Sequence, residues 1–113
     1  MRKIETLMNQ AIIEGRNFSS GNTTVTHEGD VAIVHLHGNK IAEIDDNSVT
    51  LYDGGWQSNT TKSRLNAILS EHGIEGECVF QKNFKWYVHK FVGQAGSSKV
   101  FVEKDFVDGM IFS

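Results

Sequence analysis

The sequence predicts an α+β fold, in which two amphipathic helices pack on an antiparallel β-meander in a single compact domain. The chain has 113 residues, a length that suits one hydrophobic core. Two segments repeat apolar residues at helical spacing, and the segments between them join β-branched residues to turn residues. We therefore expect one α+β domain over residues 1–113.

The first helix is predicted over Arg2 to Glu14. Its apolar residues recur on one face, and polar residues occupy the remaining positions. Gly15 follows as a helix stop, because glycine readily adopts the left-handed conformation that ends a helix. The polar stretch from Arg16 to Asn22 is then expected to be a loop.

Four short antiparallel strands are predicted next, and together they form a meander. Each is rich in β-branched or apolar residues, and turn residues separate them. The predicted strands are Thr23–His27, Val31–His37, Lys40–Asp45 and Ser48–Tyr52.

The turn between the second and third of these strands sets their pairing. A two-residue loop at Gly38 and Asn39 would place Leu36 opposite Ile41 and Ile33 opposite Ile44. Apolar residues would then lie on both faces of the sheet. Because two helices cannot cover both faces, we predict a homo-oligomer in which one face is a subunit interface.

The second half of the chain is expected to contain one helix and a second hairpin. Leu65, Ile68 and Leu69 form the apolar stripe of a helix from Thr60 to Glu71. The elements predicted after it are strands at Glu77–Gln81 and Phe84–Lys90, a loop at Gly93–Ser98, a last strand at Lys99–Glu103, and Phe106, Met110 and Phe112 closing the core.

The composition excludes several classes of protein. There are 11 Lys and Arg residues against 14 Asp and Glu residues, and this net charge of -3 is not typical of proteins that bind nucleic acid mainly through phosphates. The single cysteine, Cys78, allows no internal disulfide, and its alternation with Phe80 predicts a core position. No apolar run reaches the about 18 residues of a membrane-spanning helix, so we expect no membrane association.

The start of the second helix is the main candidate binding site. Hydroxyl groups, two cations and a tryptophan follow one another there, where free backbone N–H groups favour an anion such as a phosphate. The residues are Trp56, Ser58, Thr60, Thr61, Lys62, Ser63 and Arg64. The alternative is an ordinary capped helix with Trp56 in the core and solvated cations.

A second candidate surface lies on the later hairpin, where basic and aromatic residues alternate as they do in proteins that bind single-stranded nucleic acid. Its residues are Lys82, Lys85, Trp86, Tyr87 and Lys90. The alternative is that Trp86 points into the core and the lysines are solvated.

No complete catalytic or metal-binding arrangement is present in the sequence. His35 and His37 are expected on one side of their strand, and His27 could lie nearby across the preceding turn, but no Cys or carboxylate at a suitable spacing completes a ligand set. Cys78 could face His89 across a hairpin, although a structural role explains it better. We therefore expect a protein that is not an enzyme and needs no metal or cofactor.

Several segments together resemble a family of small accessory proteins of tailed bacteriophages. They are Arg16–Phe18, Ser20–Thr23, Leu36–Ala42, Gly55–Asn66, Phe80–Trp86 and Phe106–Met110. The resemblance covers nearly the whole chain and implies a phage protein in the cytoplasm of a bacterial host, but it implies no activity.

The sequence is compatible with two functions. The first is a non-enzymatic accessory protein that counteracts a host defence or a host enzyme by binding a nucleotide-like anion or a host protein at Trp56–Arg64. The second is a nucleic-acid-binding protein in phage replication or transcription.

Overall fold

Two helices and two antiparallel sheets make up the structure, a computed structural model that describes residues 1–113. The helices are α1 (Lys3–Glu14) and α2 (Asn59–His72). The strands are β1 (Phe18–Ser20), β2 (Thr23–Glu28), β3 (Val31–Leu36), β4 (Asn39–Ile44), β5 (Val49–Leu51), β6 (Cys78–Lys82), β7 (Lys85–Ala95), β8 (Ser98–Asp105) and β9 (Met110–Phe112). The predicted α+β class is confirmed.

The first sheet has six strands in the order β1-β2-β3-β4-β5-β9. The first five form a meander, and the C-terminal strand β9 adds to β5, with Val49 opposite Phe112. The second sheet contains β6, β7 and β8. Asn66 of α2 attaches this second sheet to the helix, because its side-chain amide exchanges two hydrogen bonds with the backbone of Val79, at 2.7 and 2.9 Å.

The core lies between the helices and the inner faces of both sheets, and Val79, Trp86 and Val88 are its members from the second sheet. The predicted stripe of α2, Leu65, Ile68 and Leu69, is fully buried, as is Met8 of α1. Phe112 is buried in the same cluster, while Phe106 and Met110 pack against its margin, as predicted. Neither helix combines the length and the apolar character that crossing a membrane requires.

The predicted turn between β3 and β4 is wrong by one residue. His37 and Gly38 form it, both with positive φ (52° and 79°), and the His37 N–H donates to the Asn22 carbonyl at 2.8 Å. Two central residues with positive φ define the hairpin turn that matches strand twist. Consequently Leu36 lies opposite Asn39, and His37 does not share a strand face with His35.

An irregularity in β4 corrects the predicted pairing further. Val34 lies opposite Ala42 and His35 opposite Lys40, so Ile41 has no partner on β3. Such a bulge lets consecutive residues turn inward, and both Ile41 and Ala42 are buried.

The outer face of the first sheet is therefore more polar than predicted. Val31, the buried Ile33 and the half-exposed Ile111 are its apolar members. Their neighbours are Thr24, Thr26, His35, Lys40, Glu43 and Thr50. The strand pairing from which the homo-oligomer was predicted is therefore not observed. The outer face of the sheet is largely polar.

Three further expectations are corrected. The predicted loop before the meander contains β1, whose residue Phe18 pairs with Val25. The predicted loop at Gly93–Ser98 is instead the end of a long hairpin that turns at Gly96 and Ser97. Phe84 is not a strand residue: it has a φ of 64° in the turn between β6 and β7 and is 97% exposed.

Candidate functional site

A pocket of about 420 Å³ lies between the N-terminal end of α2 and the turn that joins β3 to β4. Its lining combines hydroxyl, amide, carboxylate and apolar groups. The lining residues are Leu36, His37, Asn39, Ile41, Asp53, Gly54, Trp56, Ser58, Thr60 and Thr61. Four of the seven predicted ligand-binding residues, Trp56, Ser58, Thr60 and Thr61, are therefore brought together here.

The loop from Asp53 to Gln57 forms one wall of the pocket. The Asp53 carboxylate accepts hydrogen bonds from the Gly55 backbone N–H at 2.7 Å and from the Gln57 side chain at 3.3 Å. The backbone N–H of Asp53 donates to Asp108 at 2.8 Å, which fixes the loop to the C-terminal segment. This wall is thus organised by side-chain-to-backbone bonds typical of Asp in turns.

Trp56 lies at the rim of the pocket and is 74% exposed. The alternative prediction, in which Trp56 lies in the core, is therefore wrong. A tryptophan buries a large apolar area when it meets a partner, so an exposed one beside a pocket is a candidate binding residue.

The hydroxyl groups at the start of α2 mostly serve the helix itself. Ser58 is the N-cap, and its Oγ accepts the Thr61 N–H at 3.1 Å. The Thr61 Oγ1 donates to the Trp56 carbonyl at 3.3 Å, which holds the tryptophan loop against the helix. The Thr60 hydroxyl makes no hydrogen bond within the chain and so remains available to a ligand.

Arg64 does not belong to the pocket, contrary to the prediction. Its side chain is buried, and its Nη1 lies 2.8 Å from Glu5 Oε2. Its Nε donates to Thr23 at 3.1 Å and its Nη2 to Asn22 at 3.3 Å. All sides of the guanidinium are therefore engaged inside the protein, because residue 64 lies on the face of α2 that is directed at α1 and at the start of β2.

Ser63 and Lys62 are also directed elsewhere. The Ser63 hydroxyl donates to Glu5 at 2.6 Å. The Lys62 ammonium lies 3.4 Å from Gln81 of β6, and Lys62 does not line the pocket. No lysine or arginine lines the pocket, whereas Asp53 does, so a phosphate would meet a carboxylate without a cation to balance it.

The predicted nucleic-acid surface is divided between two faces of the second sheet. Trp86 is buried with its ring edge-on to Phe106 at 5.4 Å, as the core alternative predicts. The ammonium group of Lys90 lies 5.8 Å from the centre of the Phe112 ring. These two residues are thus separated from the outward-facing Tyr87.

The outward-facing lysines are paired with acids. Lys82 contacts Glu103 and Lys85 contacts Asp105, each at 3.0 Å, and both ammonium groups lie over the Tyr87 ring. Hydrogen bonds to these carboxylates raise the pKa of both lysines above the ordinary value. The local charge is therefore balanced before any phosphate approaches.

Cys78 lies outside the core, which corrects its predicted core position. It is half-buried on the outer face of the second sheet, directly opposite His89 in register. Phe80 on the same face packs edge-on against the His89 ring, with ring centres 4.7 Å apart. The outer face of this sheet is thus a small aromatic cluster.

Together these features define a small α+β protein with two helices on a meander sheet and a pocket between a helix start and an exposed tryptophan. The chain matches the family model of the Kyanoviridae Gp96 protein over residues 1–113. It belongs to this family of small phage proteins, which confirms the predicted phage origin. Neither the curated proteins nor the solved structures include a match to it.

Proposed function

We propose that this protein is a non-enzymatic binding protein that counteracts a host defence or a host enzyme in the cytoplasm of the bacterial host, and that it contacts a host protein through Trp56 and the adjacent pocket. The observation that carries the proposal is the 74% exposure of Trp56 at the pocket rim. Tryptophan is among the residues that most often dominate binding energy at protein interfaces.

The lining of the pocket favours a protein partner over a nucleotide. Asp53 contributes a carboxylate, and Arg64, the arginine predicted to bind the anion, is paired with Glu5 instead. Thr60, Asn39 and the indole N–H of Trp56 can each exchange a hydrogen bond with backbone or side-chain groups. A polar pocket beside one large apolar anchor is typical of a protein contact site.

The proposal is tested by affinity capture from a host lysate, followed by titration of the captured protein in purified form. Trp56→Ala is expected to weaken binding about 30-fold, since loss of a central anchor costs about 2 kcal/mol or more. Phe84→Ala is the matched control, because Phe84 is also an exposed aromatic residue but lies on the turn between β6 and β7.

The control should bind like the wild type. Equal loss of binding in both variants would indicate non-specific aromatic contact and contradict the assignment to the pocket. Unchanged binding of Trp56→Ala would contradict it as well.

A nucleotide-like small ligand is the second candidate, supported by the volume of the pocket and the free Thr60 hydroxyl. A ligand that binds the folded state raises the melting temperature by mass action. A thermal-shift screen with nucleotides therefore separates the candidates: a shift in the wild type that Trp56→Ala abolishes would replace the protein partner with a nucleotide. For nucleic acid, the remaining alternative, the signature would be an affinity that falls steeply with salt.

A further inference from the structure

The distal part of the β7–β8 hairpin forms an arm that the rest of the chain does not cover. Strand β6 stops pairing with β7 at His89, so beyond that residue β7 and β8 pair only with each other. We define the arm as Val92–Val100. Eight of its nine residues are exposed, and Val92 and Val100 have exposed fractions of 55% and 39%. A two-stranded ribbon is marginally stable in water without a surface to pack on.

The base of the arm is fixed to the body of the protein. The rings of Phe91 and Phe101 meet edge-on, with centres 5.9 Å apart. The Glu77 carboxylate accepts the Phe91 N–H at 3.1 Å and the Ile74 N–H at 2.8 Å. The arm therefore leaves the body at a defined point while its own apolar residues remain uncovered.

A groove opens beside this point. It consists of two adjoining pockets of about 340 and 140 Å³ that share Asp45, Asp46 and His72. Ile12, Ile44 and the 64% exposed Ile13 give the larger pocket apolar walls. Glu77, which holds the base of the arm, lines the smaller pocket, so the groove begins where the arm leaves the body.

The arm and the groove are complementary in charge as well as in polarity. Between Lys90 and Val102 the chain has Lys99 and no acidic residue, whereas Asp30, Asp45 and Asp46 line the groove. The ammonium group of Lys99 has only a distant partner in its own chain, Glu75 at 3.9 Å, and Glu75 is 95% exposed. Asp45 accepts hydrogen bonds within its own turn, while Asp46 makes none.

We propose that two copies of this chain exchange arms, each arm lying in the acid-lined groove of the other copy. The occupant of the groove is a second copy because the chain itself supplies both surfaces. Since each arm leaves beside its own groove, a two-fold axis near that point lets both arms be exchanged at once, and the assembly closes as a dimer. The dimer does not use the Trp56 pocket, so its test is independent of the proposed function.

The test is sedimentation of the full-length protein over a range of concentrations. The wild type is expected to shift from the monomer mass of 12.6 kDa towards twice that value as concentration rises. Val100→Asp places a carboxylate on the arm against the acidic groove and should weaken association at least tenfold. Because Val100 is partly exposed at the arm, circular dichroism should show an intact fold.

Val107→Asp is the matched control. Val107 is 60% exposed and lies in neither the arm nor the groove, so this variant should associate like the wild type. A wild type that stays monomeric at millimolar concentration would overturn the proposal. A Val100→Asp variant that still dimerises like the wild type would overturn it too.

A pair of charge-reversal variants then tests whether Lys99 of one copy meets Asp46 of the other. Lys99→Asp and Asp46→Lys each place like charges at the proposed contact and should each weaken self-association. When the two variants are mixed, both contacts between them join opposite charges, so a mixed dimer should form at concentrations at which neither variant dimerises alone. A structural role of either residue within its own chain would not be rescued by mixing, and failure of this rescue would contradict the arm-in-groove contact.

Discussion

The guanidinium of Arg64 and the carboxylate of Glu5 lie 2.8 Å apart, and both side chains are buried. This pair joins α2 to α1. Thr23 and Asn22 accept hydrogen bonds from the remaining nitrogens, so the start of β2 is fixed by the same group. A buried charge needs this degree of satisfaction, because an unpaired one loses its hydration without compensation.

Arg64→Met should therefore destabilise the protein severely. It leaves the Glu5 carboxylate buried without its cation, which costs about 3–5 kcal/mol. Measured by urea unfolding, the double variant Glu5→Gln with Arg64→Met should lose less stability than Arg64→Met alone, since no uncompensated charge remains. Lys62→Met on the same helix is the control and should change the free energy of unfolding by less than about 0.5 kcal/mol. A similarly small loss for Arg64→Met would contradict the structural role.

The buried Glu5 and the half-buried His72 should give the free energy of unfolding two separate dependences on pH. Burial raises the pKa of Glu5, but hydrogen bonds from Ser63, Arg64 and the Arg2 backbone outweigh it, and the pKa lies below 4.5. Glu5 therefore stabilises the protein above pH 4.5, and this contribution is lost as the pH falls towards the lower folded-state pKa. Burial lowers the pKa of His72 below 6.5, an effect that Glu71 only partly offsets. Because the unfolded chain takes up this proton first, stability falls as the pH drops below 6.5.

His72→Gln should flatten the stability profile just below pH 6.5, and Glu5→Gln should flatten it only below pH 4.5. Urea midpoints measured across this pH range provide the check. Since the two windows differ, each variant serves as the control for the other. An unchanged slope below pH 6.5 in His72→Gln would show that burial of this histidine does not couple to folding.

The local patterns in the sequence were sufficient to predict the helices and most of the strands. The apolar stripe Leu65, Ile68 and Leu69 defines α2, and Gly15 ends α1 with the expected left-handed geometry, at a φ of 70°. These features depend on neighbours three or four residues away, and periodicity reports such contacts directly. Ser58 is the N-cap of α2, one residue position before the helix begins.

Features set by distant contacts could not be read from the sequence. Arg64 has the same local context whether it is solvated or paired, and its partner Glu5 is 59 residues away. The β3–β4 turn is formed by His37 and Gly38, and the His37 N–H donates a hydrogen bond to the Asn22 carbonyl. Asn22 lies too far away in the sequence for a local turn pattern to predict this bond. Trp56 and Trp86 likewise differ in burial because of the elements around them. The pocket beside Trp56 was therefore predicted only in part. Its tryptophan and its hydroxyl residues were identified from the sequence, whereas the wall that Asp53 organises was not.

Gly54→Ala should disturb the pocket specifically. An added Cβ would lie 3.2 Å from Ile41 and 3.3 Å from Asn39, at a φ of 72° that favours glycine. Gly55 has a similar φ of 84° but no atom within 4 Å of its added Cβ. Gly55→Ala therefore has only the cost of the backbone strain, about 1–2 kcal/mol. Gly54→Ala has the same strain and, in addition, a tight contact that Ile41 and Asn39 must move to relieve. Gly54→Ala should be the less stable variant in urea and the weaker binder of the captured partner; equal behaviour of the two would contradict the observed packing.

Phe84→Gly should stabilise the protein. Asn83 and Phe84 form a two-residue hairpin turn in which both have positive φ, 53° and 64°, and glycine is the preferred residue at the second position. The phenyl ring is 97% exposed and gains little from the fold, so relief of the left-handed strain should exceed the added flexibility of glycine by about 1 kcal/mol. Phe84→Ala is the decisive control, because it removes the same ring and keeps the Cβ that causes the strain. In urea unfolding, a gain in Phe84→Gly that is absent in Phe84→Ala assigns the effect to the backbone, whereas equal gains would assign it to removal of the exposed ring.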